Sequence, residues 1–157
     1  MNDNDMKEAA QYVGLRMKLN MTVQDTQVPA CVHEGDAGFD LRITEQTRLL
    51  PGMRRTVGTG VSVEIPEGHV GLLFPRSGLS SNLGITLANA VAVIDSGYRG
   101  EIRASLYNIS QRPITLNAGE RVCQLVIMPF ERVEPTLVES LGDSERGADG
   151  FGSSGRS

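Results

Sequence analysis

The sequence predicts an all-β domain of the sandwich, barrel or jelly-roll kind. Three observations lead there: a hydrophobic period of two that dominates from Met17 onward, turn-forming residues between the alternating runs, and one short stretch with helical character. In chain order, Met1 to about Arg16 reads as a polar leader with weak helical tendency, the kind of terminal segment that is commonly loosely ordered. Phe39, Leu41 and Ile43 then alternate with Asp40 and Arg42. Val61, Val63 and Ile65 alternate with Ser62 and Glu64, and Ile102, Ala104 and Leu106 with Arg103 and Ser105. Successive side chains of a strand point to opposite faces, so each run buries its apolar set and leaves its polar set outside. Pro51-Gly52, Pro66-Glu67-Gly68, Ser96-Gly97 and Asn117-Ala118-Gly119 supply turns. The one internal helical turn is expected after Arg76, over Gly78 to Leu83. From Arg146 the chain is rich in Gly and Ser, which by composition is a mobile tail. The chain thus divides into an extension over residues 1–16, a β domain over 17–138 and a C-terminal segment over 139–157.

A chain of 157 residues is the size of one domain with its own core. Its formal net charge of −4 disfavours a nucleic-acid coat, because phosphate backbones attract basic surfaces. A few local arginines can still outweigh that charge and hold a small polyanion. Cys31 and Cys123 form neither a metal-ligand spacing nor a disulfide framework, and read as free thiols in a reducing compartment. No apolar run approaches the ~20 residues of a membrane span. Asn2, Asp3, Asn4 and Asp5 are the wrong chemistry for a secretory signal, so a cytoplasmic protein without a membrane partner is expected.

Gly150-Phe151-Gly152-Ser153-Ser154-Gly155 satisfies the dinucleotide pattern G-x-G-x-x-G, but that pattern works only where a helix follows to aim its N-terminus at pyrophosphate. The sequence stops two residues later, which removes the Rossmann reading. Pro75-Arg76-Ser77-Gly78-Leu79-Ser80 joins a fixed turn, a guanidinium, a hydroxyl and a glycine. Arginine meets phosphate oxygens with a bidentate fork, and the hydroxyl and neighbouring N–H groups add donors. For this hexapeptide alone the bland reading, an ordinary N-capped turn with a surface arginine, is slightly favoured. Ile94-Asp95-Ser96-Gly97-Tyr98-Arg99-Gly100-Glu101 sets an acid and a tyrosine on either side of a tight turn, where an Asx cap and simple packing are the ordinary roles. Asp40 lies on the polar face of its strand, either as a solvated carboxylate or as a contributor to a Mg²⁺ site, since Mg²⁺ takes few carboxylates and keeps its waters.

The combination says more than any part. Ala-Gly-Phe-Asp-Leu at 37–41, Pro-Arg-Ser-Gly-Leu at 75–79, Ile-Asp-Ser-Gly-Tyr-Arg-Gly-Glu at 94–101, Gly-Glu-Arg-Val-Cys-Gln at 119–124 and Arg-Gly-Ala-Asp-Gly-Phe-Gly-Ser-Ser-Gly at 146–155 occur in that order. Together they resemble the five motifs of the trimeric dUTP pyrophosphatases, over about Met17 to Gly155.

The resemblance implies a jelly-roll-type β-barrel, the β-clip of that family, with three subunits building shared active sites. It implies Mg²⁺-dependent hydrolysis of dUTP to dUMP and pyrophosphate, which supplies dUMP for thymidylate synthesis and keeps uracil out of DNA. Asp95 then matches the base that activates the water attacking the α-phosphate. Arg76, Ser77, Gly78, Gln124 and the tail's Arg146 match phosphate-binding positions. Asn89, Ile94, Asp95, Tyr98 and Phe151 match positions around the uracil and deoxyribose, and Asp40 the carboxylate that holds the metal through water. The Gly-rich tail matches a lid. Two departures stand out: Ala92 replaces a common glycine and could crowd the third motif, and Asp149 replaces a tail glycine. A dCTP deaminase of the same fold, a protein-binding regulator on the same scaffold and an inactive capsid-like jelly roll are the rival readings.

Overall fold

The structure is a computed structural model that describes residues 18–33, 35–145 and 147–148. The leader over residues 1–16, Arg146, Asp149 and Phe151 lie outside the described residues.

Eleven strands and one helix make up the described chain. They are β1 (Asn20–Val23), β2 (Gly38–Arg42), β3 (Thr47–Leu49), β4 (Arg54–Gly58), β5 (Val61–Glu64), β6 (His69–Pro75), α1 (Ser77–Leu83), β7 (Ile85–Leu87), β8 (Ala92–Ile94), β9 (Arg103–Asn108), β10 (Ile114–Leu116) and β11 (Arg121–Pro129). The expected helical turn is present one residue longer, and Gly84 ends it in the left-handed conformation at φ 69°.

The period-two reading becomes the core. Leu41, Ile43, Val61, Val63, Ile65, Ile102, Ala104 and Leu106 are all buried, joined by Leu73 from β6 and Leu125 from β11. Burying such a side chain stabilises by about 1.5–3 kcal/mol, which is why alternation of this strength selects strands over other local choices. Phe39, by contrast, is only half-buried and packs at the core's margin.

All ladders are antiparallel, and the all-β expectation is met. The barrel does not close among the described residues: the ladders divide into sheets ordered β2-β11-β6-β8, β4-β9-β7, β1-β5 and β10-β3. Strands of three residues such as β3, β8 and β10 each carry a ladder on one edge only, so the sheets meet through side chains rather than through continuous hydrogen bonding. The largest sheet positions the candidate site. Its register sets Gln124 opposite both Asp40 and Phe74, and Ile94 opposite Gly71.

Ala92 lies in β8 opposite Leu73, and its methyl packs against the core.

Candidate active site

A cleft of about 440 Å³ opens where β2, β6 and β11 end and α1 begins. Asp40, Arg76, Ser77, Gly78 and Gln124 line it together, as do Arg121, His33 and Asp36. Three motifs far apart in sequence therefore meet here.

At its centre Asp40 is held between two guanidinium groups. Arg76 Nε donates to Asp40 Oδ1 at 2.8 Å and Arg121 Nη1 donates to Oδ2 at 3.0 Å. The Asp40 side chain keeps 16% of its exposure and that of Arg76 29%, so these charges are only partly solvated. Arg76 Nη1 also donates to the Arg121 carbonyl at 3.4 Å, and Gln124 Nε2 to the Pro75 carbonyl at 3.4 Å. Charge-assisted bonds of this type are about twice as strong as neutral ones and fix the fork's orientation. Below the cleft floor, burial first and the Asp40 charge second push the Cys123 thiol up to about 12, against a smaller downward pull from Arg76.

Arg121 is a residue that the sequence reading passed over. It shares the motif that pointed to Gln124, but the ladder register shifts between Arg121 and Cys123. A bulge breaks strict alternation, so periodicity could not say which way Arg121 faces.

The second group of expected residues lies elsewhere. Asn89 is exposed in the tight turn between β7 and β8, where Ala90 has φ 59° and the Val91 N–H donates to the Asn89 carbonyl at 2.6 Å. Ile94 ends β8, which is the outer strand of its sheet and leaves one backbone edge without a ladder partner among the described residues. Asp95 follows, exposed, and its carbonyl accepts from the Tyr98 N–H at 3.0 Å to close a turn. Tyr98 is 44% exposed, and its hydroxyl donates to the Glu101 carbonyl at 2.8 Å.

The two groups are separated along β6. Ile94 pairs with Gly71, and continuing the register sets Asp95 beside Val70, whereas Arg76 follows the far end of the strand. From Val70 to Arg76 the chain rises by about 20 Å. One chain therefore presents a guanidinium-rich cleft at one end of β6 and the Asp95–Tyr98 turn at the other.

As for a divalent ion, the described residues contain no cluster of three or more His, Cys, Asp or Glu. Asp40 is the acid available beside the two arginines, and each of its oxygens accepts one bond and retains a lone-pair direction. That donor set fits Mg²⁺ carried by a substrate's phosphates and its own waters, not a metal caged by protein. No helix among the described residues is long and apolar enough to cross a membrane.

The dUTPase family profile matches residues 24–155. A deoxyuridine 5'-triphosphate nucleotidohydrolase of Anaeromyxobacter sp. (strain Fw109-5) is 49% identical over 130 residues, spanning 83% of this chain and 88% of that protein. The enzyme of the same name from Thermobifida fusca is 43% identical over 142 residues, 90% of this chain and 79% of the relative. Among solved structures, the dUTPase of Staphylococcus bacteriophage 80alpha with dUPNHPP superposes with a TM-score of 0.82 at 31% identity, covering 88% of this chain and 99% of its own. The phage phi11 dUTPase gives a TM-score of 0.74 at 27% identity, over 80% and 98% of the two chains. A match of this length, with the arginine-bracketed carboxylate and the Asp95 turn both inside it, makes the chain a member of the dUTPase family.

Proposed function

We propose that the protein hydrolyses dUTP to dUMP and pyrophosphate, with Asp95 activating the water that attacks the α-phosphate. The observation that carries this reading is the bracketed cleft: Arg76 and Arg121 converge on Asp40 beside Ser77, Gly78 and Gln124 in a chain of the dUTPase family. Hydrolysis of a phosphoanhydride needs an in-line water, a base for its proton, and positive charge for the equatorial oxygens. Asp95 supplies the base; Arg76, joined by Arg146 from the tail, supplies fixed charge. Ser77 and Gln124 add neutral donors that orient the phosphates. Mg²⁺, bound through water to Asp40, would add charge neutralisation across the triphosphate.

The uracil end follows from β8. An outer strand presents backbone donors and acceptors in fixed register, which suits the edge of a pyrimidine. Asn89 and Ile94 flank that edge, and Tyr98 offers a flat ring to the deoxyribose. Phe151 and the Gly-rich tail over 139–157 close over bound nucleotide as a lid.

The separation of Asp95 from Arg76 supports a homo-oligomer in which one subunit's cleft faces another's Asp95 turn, and the family resemblance makes that oligomer a trimer. The apolar side chains of Phe130, Val133, Leu137 and Leu141, each half or more exposed in a single chain, support the same view. Free thiols at Cys31, exposed, and Cys123 support a cytoplasmic setting.

The test is pyrophosphate release from dUTP, UTP, dTTP and dCTP with and without Mg²⁺, alongside ammonia release from dCTP. Selective, Mg²⁺-dependent cleavage of dUTP is expected, and Asp95→Asn abolishes it while nucleotide still binds. Unchanged turnover in that variant removes Asp95 from the base role. A stable, active monomer in sedimentation defeats the shared site.

A further inference from the structure

Glu101 sits outside the phosphate cleft and carries none of the roles above, yet its carboxylate and its carbonyl bind two different turns. Its Oε1 accepts from the Gly60 N–H at 2.8 Å. The turn Gly58-Thr59-Gly60 between β4 and β5 is shaped to take this carboxylate. A Cβ on Gly58 would lie 2.5 Å from Glu101 Oε1, so a side chain there and the carboxylate exclude one another. Gly60 itself has φ 67°, and a Cβ would come within 1.9 Å of the Gln24 carbonyl oxygen. The same turn grips the next residue from both sides. Thr59 Oγ1, fully buried, donates to the Ile102 carbonyl at 2.6 Å, and the Ile102 N–H donates to the Val61 carbonyl at 2.8 Å.

On its other side Glu101 meets the candidate sugar platform. Its carbonyl accepts the Tyr98 hydroxyl at 2.8 Å. The ring crosses Gly100 so closely that a Cβ there would be 2.5 Å from the Tyr98 Oη. Tyr98 in turn closes the β-turn onto the Asp95 carbonyl at 3.0 Å. A continuous path of hydrogen bonds therefore runs from the Gly58–Gly60 turn through Glu101 and Tyr98 to Asp95. An exposed tyrosine ring is ordinarily free to change rotamer; here its hydroxyl end is tied to a backbone carbonyl whose own side chain is anchored in a second turn.

We propose that Glu101 is a positioning residue for Tyr98: its carboxylate, seated in the Gly58–Gly60 turn, fixes the carbonyl that holds the Tyr98 hydroxyl, and so sets how closely the ring approaches C2′ of the bound sugar. This rests on the reading of Tyr98 as the sugar platform. It assigns discrimination between deoxyribo- and ribonucleoside triphosphates to a group that does not touch either. A hydroxyl at C2′ is rejected by an unyielding surface and tolerated by one that can retreat.

The test compares Glu101→Ala, Glu101→Gln, Gly58→Ala and Tyr98→Phe in the intact protein, with kcat and KM for dUTP and for UTP. A second readout is ¹⁹F NMR of fluorotyrosine-labelled protein, in which the Tyr98→Phe spectrum assigns the Tyr98 line among the three tyrosines. Glu101→Ala is expected to raise KM for dUTP about ten-fold, the scale of one lost hydrogen bond to a charged group, with kcat changed less than KM. It lowers the dUTP over UTP preference by a similar factor and narrows the Tyr98 line. Glu101→Gln, whose amide oxygen can still accept from Gly60, retains most of the preference. Gly58→Ala keeps Glu101 but displaces its carboxylate, and shifts the preference the same way as Glu101→Ala. If Glu101→Ala does not fold, Gly58→Ala and Tyr98→Phe carry the comparison. A folded Glu101→Ala with unchanged preference and an unchanged Tyr98 line overturns the proposal. A wild-type protein inactive on dUTP overturns the functional reading instead, and the NMR comparison still decides whether Glu101 holds the ring.

Discussion

Replacing Asp40 by asparagine probes the cleft where its charges are most concentrated. The carboxylate accepts from Arg76 on one oxygen and from Arg121 on the other, at 2.8 and 3.0 Å. Asparagine keeps the shape but turns one acceptor into a donor, so only one guanidinium keeps its partner and the other faces an N–H group. The lost charge-assisted bond is worth about 1.5–3 kcal/mol in a buried setting. With Arg76 29% and Asp40 16% exposed, solvent screening brings that to about 1–2 kcal/mol. For a chain of this size the melting temperature should fall by about 3–6 °C. If Arg76 must be oriented to meet phosphate, the same energy lowers kcat/KM by about 5- to 30-fold. The deficit should be larger at limiting Mg²⁺, because the lost carboxylate would also hold the metal's water. Thermal denaturation and pyrophosphate release over a Mg²⁺ titration measure both effects. Arg121→Met, alone and with Asp40→Asn, closes a double-mutant cycle that should show coupling between the pair. Wild-type melting and wild-type kcat/KM in Asp40→Asn would refute the reasoning, since the two arginines would then not depend on Asp40.

Four further outcomes follow from other parts of the structure. Deleting the chain after Asp143 should cut turnover severely and leave the melting temperature close to wild type, because every core residue among the described residues precedes that point; full activity in the truncated enzyme removes the lid. Iodoacetamide should modify Cys31 at pH 8 and spare Cys123, which titrates near 12 and is buried. Because that thiol's folded value lies above its ordinary 9.0, the stability it contributes is complete below pH 9 and declines as pH rises toward 12, which denaturant titrations at two alkaline pH values can read. Finally, Gly60→Ala should destabilise by about 2–4 kcal/mol, combining left-handed strain with a backbone clash, whereas Gly52→Ala, at φ 72° with open space around it, should cost about 1 kcal/mol. Equal losses in the two variants would show that backbone strain alone, not the Gln24 contact, decides the cost.

The strands were legible wherever one face met the core. Val61, Val63 and Ile65, and Ile102, Ala104 and Leu106, announce their burial through alternation, and turns at Pro51-Gly52 and Ser96-Gly97 carry residues whose backbone preferences act locally. What joins the pieces was not legible. Arg121 and Asp40 are 81 residues apart in sequence, and Glu101 and Gly60 are 41 apart. No local pattern encodes such pairings, because strand register is settled by the packing of whole sheets. Asp40, Arg76 and Gln124, from three motifs, line one cleft, but motif order could not show that Asp95 and Tyr98 would stand at the opposite end of β6. The concern over Ala92 also needed the fold: a methyl facing Leu73 and the core is ordinary strand packing.

The distance between those two ends has a genetic consequence. In an oligomer whose catalytic centres draw one end from each of two neighbouring chains, defects at the two ends can be separated. Chains inactivated at Arg76 and chains inactivated at Asp95, mixed and reassembled, should recover activity at roughly a quarter of their centres, where an intact guanidinium end meets an intact carboxylate end. By the same logic, a chain defective at one end silences one centre and a chain defective at both ends silences two, so only the doubly defective chain costs more activity than its share of the subunits.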